Sequence, residues 1–75
     1  MKIRLEWIRA DGQPLPANAY QIPGNGHLEI RSVTRNDAGR YTCRGIDQYG
    51  NVMFQAIAEL FIVGEKKKVR FKAPQ

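Results

Sequence analysis

The stretch Asp37-Ala38-Gly39-Arg40-Tyr41-Thr42-Cys43 decides the fold of this chain, and Trp7 upstream completes its pattern. The first three residues have the composition of a tight turn, and Tyr41 and Cys43 then share one face of a predicted strand. A tyrosine two residues before a cysteine, just after such a turn, is typical of a corner at which a strand enters an antiparallel sandwich. Trp7 lies in a separate segment of alternating apolar and polar residues.

Outward from this stretch, alternation of apolar and polar residues predicts further strands. The alternation is regular at 2–7 and 27–31, a weak extended segment covers 19–22, and in the long apolar run 52–63 only Gln55 and Glu59 are strongly polar. Turn clusters separate these segments at intervals of roughly eight to twelve residues, and no segment has helical periodicity. This rhythm predicts an all-β sandwich. Its predicted structural core consists of Trp7, Leu28, Ile30, Tyr41, Cys43 and Leu60.

These segments resemble the strands of the I-set immunoglobulin family. Residues 5–16 look like strand C and the turn after it, 28–33 like strand E, 36–43 like the corner and strand F, and 58–63 like strand G. The Pro-Leu-Pro-Ala and Gly-His-Leu-Glu-Ile runs are most similar to the tandem immunoglobulin repeats of perlecan, a basement-membrane heparan sulfate proteoglycan. The resemblance implies an immunoglobulin-like β-sandwich that serves as a non-enzymatic module. It also implies that Tyr41 hydrogen-bonds the backbone a few residues upstream, and that Trp7 and Cys43 face one another in the core.

The resemblance also implies that strands A, A′ and B have no counterpart here, so that 1–64 is expected to form a partial domain of strands C to G. One sheet is then expected to hold strands C, F and G, and the other only D and E. A two-stranded ribbon is marginal in water, and an unpaired edge, here that of strand E, invites pairing with another chain. We therefore expect a loose or self-associating chain, or one that a partner strand completes.

Residues 65–75 are predicted to form a basic tail or linker. The chain carries a net charge of +5, yet 1–64 holds seven Lys and Arg against six Asp and Glu, whereas 65–75 holds five against one. In an extended chain Lys68, Arg70 and Lys72 share a face, with Val69 and Phe71 opposite. Two interpretations stay open, a solvated linker or a contact for a polyanion such as a sulfated glycosaminoglycan. The candidate contact residues are Lys66, Lys67, Lys68, Arg70 and Lys72.

The run 52–63 has a predicted inner and outer face. If Ala58, Leu60 and Ile62 point inward, then Ile57, Phe61 and Val63 point outward. An exposed apolar stripe beside a sheet edge marks a contact surface. The same stripe also suits a face that strand A′ or a neighbouring domain covers, and both interpretations stay open.

Residues that carry enzyme chemistry are sparse. Cys43 is the single cysteine and His27 the single histidine, and no motif places a base or an orienting group beside the thiol. The pair also lacks the spacing of a metal site. We expect no enzyme and no cofactor. No apolar run reaches the roughly 18 residues of a membrane helix, so no membrane span is expected.

The sequence thus favours an interaction or structural module of a modular extracellular-matrix or cell-adhesion protein, which binds protein partners or neighbouring immunoglobulin domains. An I-set domain of a cytoplasmic, sarcomeric muscle scaffold is the first alternative, since a reducing compartment makes a single cysteine natural. A small basic nucleic-acid-binding β protein is the second. It is disfavoured because the aromatic residues are not arranged for stacking on a basic sheet face.

Overall fold

The computed structural model describes residues 2–62 and 68–73, which fold into two antiparallel sheets packed face to face. The strands are β1 at Arg4–Arg9, β2 at Ala19–Gln21, β3 at Leu28–Arg31, β4 at Gly39–Ile46, β5 at Val52–Leu60 and β6 at Lys68–Phe71. One sheet has the order β1-β4-β5 and the other the order β2-β3-β6. A single turn of 3-10 helix at Arg35–Asp37 precedes β4. The predicted all-β sandwich is confirmed.

The sheet β1-β4-β5 is built around β4. Trp7 of β1 lies opposite Cys43, and Ala56 of β5 lies opposite the same residue on the other side. The β4–β5 register is regular from Gly39 to Gly45, and a bulge follows between Gly45 and Ile46. Strand period two therefore sends Tyr41, Cys43 and the inner residues of β5 toward the other sheet.

The second sheet differs from the expected two-stranded ribbon. Strand β6 pairs antiparallel with β3, so that Leu28 lies opposite Phe71 and Ile30 opposite Val69. The predicted open edge at 28–31 is therefore wrong on the side that β6 covers. Val69 and Phe71 pack against the core while Lys68 and Arg70 stay exposed, because alternate residues of a strand point to opposite faces.

Lys68–Phe71 thus belongs to the sandwich, where the sequence suggested a basic tail or linker. Within the segment 65–75, residues 72 and 73 follow β6 and are described, whereas 65–67 and 74–75 lie outside the described residues. Positive charge dominates the composition of this segment. Its two apolar side chains decide the outcome instead, since they are the ones that reach the core.

The core lies between the two sheets around Trp7. The indole Nε1 donates a hydrogen bond of 2.7 Å to the carbonyl oxygen of Gly26, and the indole ring stacks on Phe71 with ring centroids 6.0 Å apart. Gly26 has a φ of 74°, and a Cβ there would lie 2.4 Å from Cδ1 of Leu5, so the turn requires glycine. The buried cluster consists of Trp7, Leu28, Ile30, Tyr41, Cys43, Leu60 and Ala73.

The corner before β4 is fixed by hydrogen bonds. The Tyr41 hydroxyl donates to the carbonyl oxygen of Asp37 at 2.6 Å, the backbone contact that the sequence predicted. The buried Asp37 carboxylate accepts from the Thr34 backbone N–H at 2.8 Å and from Asn18 Nδ2 at 3.2 Å. Arg9 adds a donor to the carbonyl oxygen of Ala38 at 3.0 Å. Because each of these polar groups is paired, burying the corner leaves no unmet hydrogen bond among them.

Candidate interaction surfaces

The outer face of the sheet β1-β4-β5 carries two isoleucines on either side of the buried Thr42, with polar neighbours around them. Ile8 lies opposite Thr42, and Thr42 lies opposite Ile57, so these side chains cross the face in one line. In a neighbouring row Arg44 donates a hydrogen bond to the Glu6 carboxylate. An apolar centre with a polar surround is the composition of a protein contact surface.

Strand β5 extends this face with exposed apolar side chains. Ile57 is 63% exposed and Phe61, just after the strand, is 66% exposed, whereas Leu60 is buried and Ala58 and Ile62 are half-buried. The predicted inner and outer faces of this strand are therefore confirmed for these five residues. Val63 lies outside the described residues. Met53 and Val52 add further exposed apolar surface at the start of β5.

The edge of β5 is also open in the part of the chain that the structure describes. Strand β5 pairs with β4 on one side, and no described strand lies on its other side. The backbone N–H and C=O groups on that side are therefore available to another strand. Apolar side chains and an unpaired backbone thus occur together on the same strand.

The outer face of the sheet β2-β3-β6 is basic. Arg70 donates to Glu29 Oε2 at 3.0 Å, Arg31 donates to Glu29 Oε1 at 2.7 Å, and Lys68 Nζ lies 3.9 Å from the same carboxylate. Lys72 is exposed after β6, and Lys66 and Lys67 lie outside the described residues. Two of the five predicted polyanion contacts therefore already neutralise Glu29, which is buried beneath them.

Replacing Glu29 with glutamine is expected to reduce the acid sensitivity of the fold. The hydrogen bonds from Arg31 and then Arg70 hold the pKa of the Glu29 carboxyl below its ordinary value of 4.5. A carboxyl with a lowered folded-state pKa contributes stability above its unfolded pKa, and that contribution is lost as the pH falls through the folded pKa. The difference between urea midpoints at about pH 7 and about pH 3 should therefore be smaller in Glu29→Gln than in the parent chain.

The matched control is Glu59→Gln, which removes an exposed carboxylate 3.5 Å from Arg40. An exposed pair contributes only about 0–1 kcal/mol, so this variant should barely move the midpoint at about pH 7. If Glu29→Gln kept the full difference between the two pH values, the three cations around Glu29 would have no role in acid stability.

Cys43 does not have the surroundings of a reactive thiol. It is fully buried between Trp7 and Ala56, and burial raises its pKa above the usual range. A catalytic or metal-binding cysteine needs the thiolate form, which this site disfavours.

Among the described residues no three His, Cys, Asp or Glu side chains lie together as a metal site, and no helix is long and apolar enough to cross a membrane.

Comparison with known proteins agrees with this geometry. The model of the immunoglobulin I-set domain matches residues 2–62, which include β1 to β5 and the corner at Tyr41. The chain belongs to the immunoglobulin I-set family. Strand β6 lies beyond the matched residues. No solved structure gives a significant match.

Relatives of this I-set chain include adhesion proteins and a muscle protein. It is 40% identical to Drosophila melanogaster neuroglian over 48 residues, which is 64% of this chain and 4% of neuroglian. It is 34% identical to rat neural cell adhesion molecule L1 over 53 residues, or 69% of this chain and 4% of that protein. With Drosophila titin it shares 35% identity over 71 residues, covering 89% of this chain and a share of titin that rounds to 0%. The chain therefore spans a very small part of these relatives.

Proposed function

We propose that this I-set chain is a non-enzymatic protein-interaction module of a modular cell-adhesion or extracellular-matrix protein. The observation that carries the proposal is the outer face of β1-β4-β5, where Ile8 and Ile57 flank Thr42 in one row. The similarity to neuroglian and to a neural cell adhesion molecule supports the adhesion context. The inert, buried Cys43 argues for a binding module over a thiol enzyme. The likeness to the perlecan repeats makes a matrix protein one form of the proposal.

A cell-binding assay tests this function. Beads coated with the chain at low density are expected to bind cultured cells, and trypsin treatment of the cell surface should abolish that binding. Ile8→Lys places a charge at the β1 end of the row that Ile8, Thr42 and Ile57 form, and it should weaken cell binding about tenfold, which is roughly 1.4 kcal/mol. The control Gln13→Lys adds the same charge in the exposed turn after β1.

The outcomes of this assay are distinct. Trypsin-sensitive binding that falls with Ile8→Lys and persists with Gln13→Lys supports a protein contact on the outer face of β1-β4-β5. Beads that bind no cells, or an Ile8→Lys chain that binds as well as the parent chain while remaining folded, would overturn the proposal.

A sulfated glycosaminoglycan is a second candidate partner, because Lys68, Arg70 and Lys72 alternate with the inward residues of β6. The outer positions Lys68 and Arg70 are at least half exposed although both contact Glu29. In the same bead assay, binding that is lost after heparinase treatment but persists with Ile8→Lys supports this candidate. Such binding should also weaken steeply with added salt.

The similarity to titin over most of this chain supports the alternative of a cytoplasmic muscle scaffold. An antibody against the chain distinguishes the two settings in muscle and non-muscle cells. Staining of intact cells is expected for an adhesion or matrix protein. Staining that requires permeabilisation and follows the sarcomere would favour the muscle scaffold.

A further inference from the structure

Strand β5 has the features of a strand that pairs with another strand outside its own sheet. It runs for nine residues, its edge away from β4 is unpaired among the described residues, and its outward side chains Ile57 and Met53 are exposed. Natural proteins usually protect such an edge with lysine, proline, a central bulge or a covering segment. None of the nine residues of β5 is lysine or proline, its single charged residue is Glu59, and its bulge lies at one end.

The sequence of β5 is self-complementary in one antiparallel register. When two copies pair about a two-fold axis at Ile57, residue numbers of opposed positions sum to 114. The outward pairs are then Ile57 with itself, Gln55 with Glu59, and Met53 with Phe61. Each of these pairs joins apolar to apolar, or an amide to a carboxylate that can accept its hydrogen bond.

The inward pairs of this register are also compatible. Ala56 lies opposite Ala58 on both sides of the axis, and Phe54 lies opposite Leu60. The small alanines stand near the axis, and the larger side chains lie at the ends. No pair in the register opposes like charges, which would be destabilising between adjacent strands.

Neighbouring symmetric registers are worse matched. An axis at Ala56 opposes Glu59 to Met53, an axis at Ala58 opposes Glu59 to Ile57, and an axis at Glu59 opposes that carboxylate to itself. An axis at Gln55 avoids these conflicts, but it leaves the 66% exposed Phe61 beyond the strand and opposite the turn before β5. The register at Ile57 alone covers Ile57, Met53 and Phe61 together.

We propose that β5 pairs antiparallel with the β5 strand of a second copy of this chain, in the register that places Ile57 on the two-fold axis. The two sheets then join into one six-stranded sheet that is continuous across the dimer. This proposal goes beyond the proposed function, because it uses the backbone edge of β5 and not the outer face on which Ile8 lies. The contact is isologous, so it closes on itself as a dimer and does not extend into a fibre.

Paired substitutions at Gln55 test the register. Gln55→Lys places an ammonium opposite Glu59 of the partner subunit at two symmetric positions, and Gln55→Glu places a carboxylate there. Sedimentation equilibrium should show a dimer dissociation constant about three- to tenfold tighter for Gln55→Lys and weaker by a similar factor for Gln55→Glu. The matched controls are Gln13→Lys and Gln13→Glu, which carry the same charges in a turn away from β5 and should leave the constant unchanged.

The stability of the single chain provides an internal check, because Gln55 lies opposite Arg44 within the sheet. Gln55→Glu gains a neighbouring opposite charge there, and Gln55→Lys gains a like charge. Urea unfolding of the dilute monomer should therefore rank Gln55→Glu above Gln55→Lys. Association should rank the two variants in the reverse order, so a stability effect cannot be mistaken for a dimer effect.

Three outcomes would overturn the proposal. A parent chain that remains monomeric at about 1 mM excludes the dimer, since association that weak has no structural role. Equal weakening by both Gln55 variants would place the axis at Gln55 instead. A dimer that neither variant changes would use another surface. In each case Ile8→Lys would still report on cell binding, so the proposed function can survive the failure of the dimer.

Discussion

Replacing Trp7 with alanine is expected to remove most of the stability of the fold in water. The indole is almost fully buried, and it joins the sheets by stacking on Phe71 and by donating to the Gly26 carbonyl at 2.7 Å. Truncating a buried aromatic residue to alanine costs about 3–5 kcal/mol. A small domain has a total stability near the lower end of about 5–15 kcal/mol, so little remains. Far-ultraviolet circular dichroism during urea titration measures the loss.

The control Trp7→Phe separates packing from hydrogen bonding. A phenyl ring keeps an aromatic partner for Phe71 but leaves the buried Gly26 carbonyl without its donor. The cost of that unmet group is about 1–3 kcal/mol, so this variant should fold with a lower urea midpoint. An alanine variant with the parent midpoint would mean that the two sheets do not depend on Trp7 for their contact.

Local sequence patterns are sufficient to predict the strands that are bounded by clear turn residues. A turn followed by period-two alternation predicts that Tyr41 and Cys43 lie on one face of a strand. The Tyr41 hydroxyl donates to the Asp37 carbonyl, which is the backbone bond that the family resemblance implies. The two faces of β5 follow in the same way, with Ile57 outward and Leu60 inward. These features depend on residues close in sequence, which is why alternation predicts them.

The partner of β6 could not be predicted in this way. Period two correctly separates Lys68 and Arg70 from Val69 and Phe71, but it says nothing about which strand edge receives them. Pairing with β3 joins residues about forty positions apart in sequence. The register of the pair is set by which of its side chains face the core. The Glu29 cluster was missed for the same reason, because Arg70 reaches that carboxylate only after β6 has docked.

The placement of β6 has a consequence for Ala73, which lies just after the strand and is buried in the same cluster as Cys43. Ala73 lies two residues after Phe71, whose ring stacks on Trp7, so strand periodicity points both side chains to the same face. Trp7 in turn lies opposite Cys43. Ala73 and Cys43 thus share one buried cluster with Trp7 and come from facing sheets. An inter-sheet disulfide packed on a tryptophan needs this placement.

Ala73→Cys is accordingly expected to form a disulfide with Cys43 in an oxidising buffer. A bridge that closes a loop of about 30 residues should stabilise the fold by about 3–4 kcal/mol, which raises the midpoint of thermal unfolding by roughly 15 °C in a domain of this size. Loss of both thiols in a thiol titration, and a rise in midpoint that a reductant abolishes, measure the result. Lys72→Cys is the matched control. The Lys72 side chain is exposed, so a cysteine there should not reach Cys43 and should leave it reduced. If the thiols of Ala73→Cys stayed free after oxidation, residues 43 and 73 would not reach the Cβ–Cβ distance of about 3.5–4.5 Å that a disulfide needs.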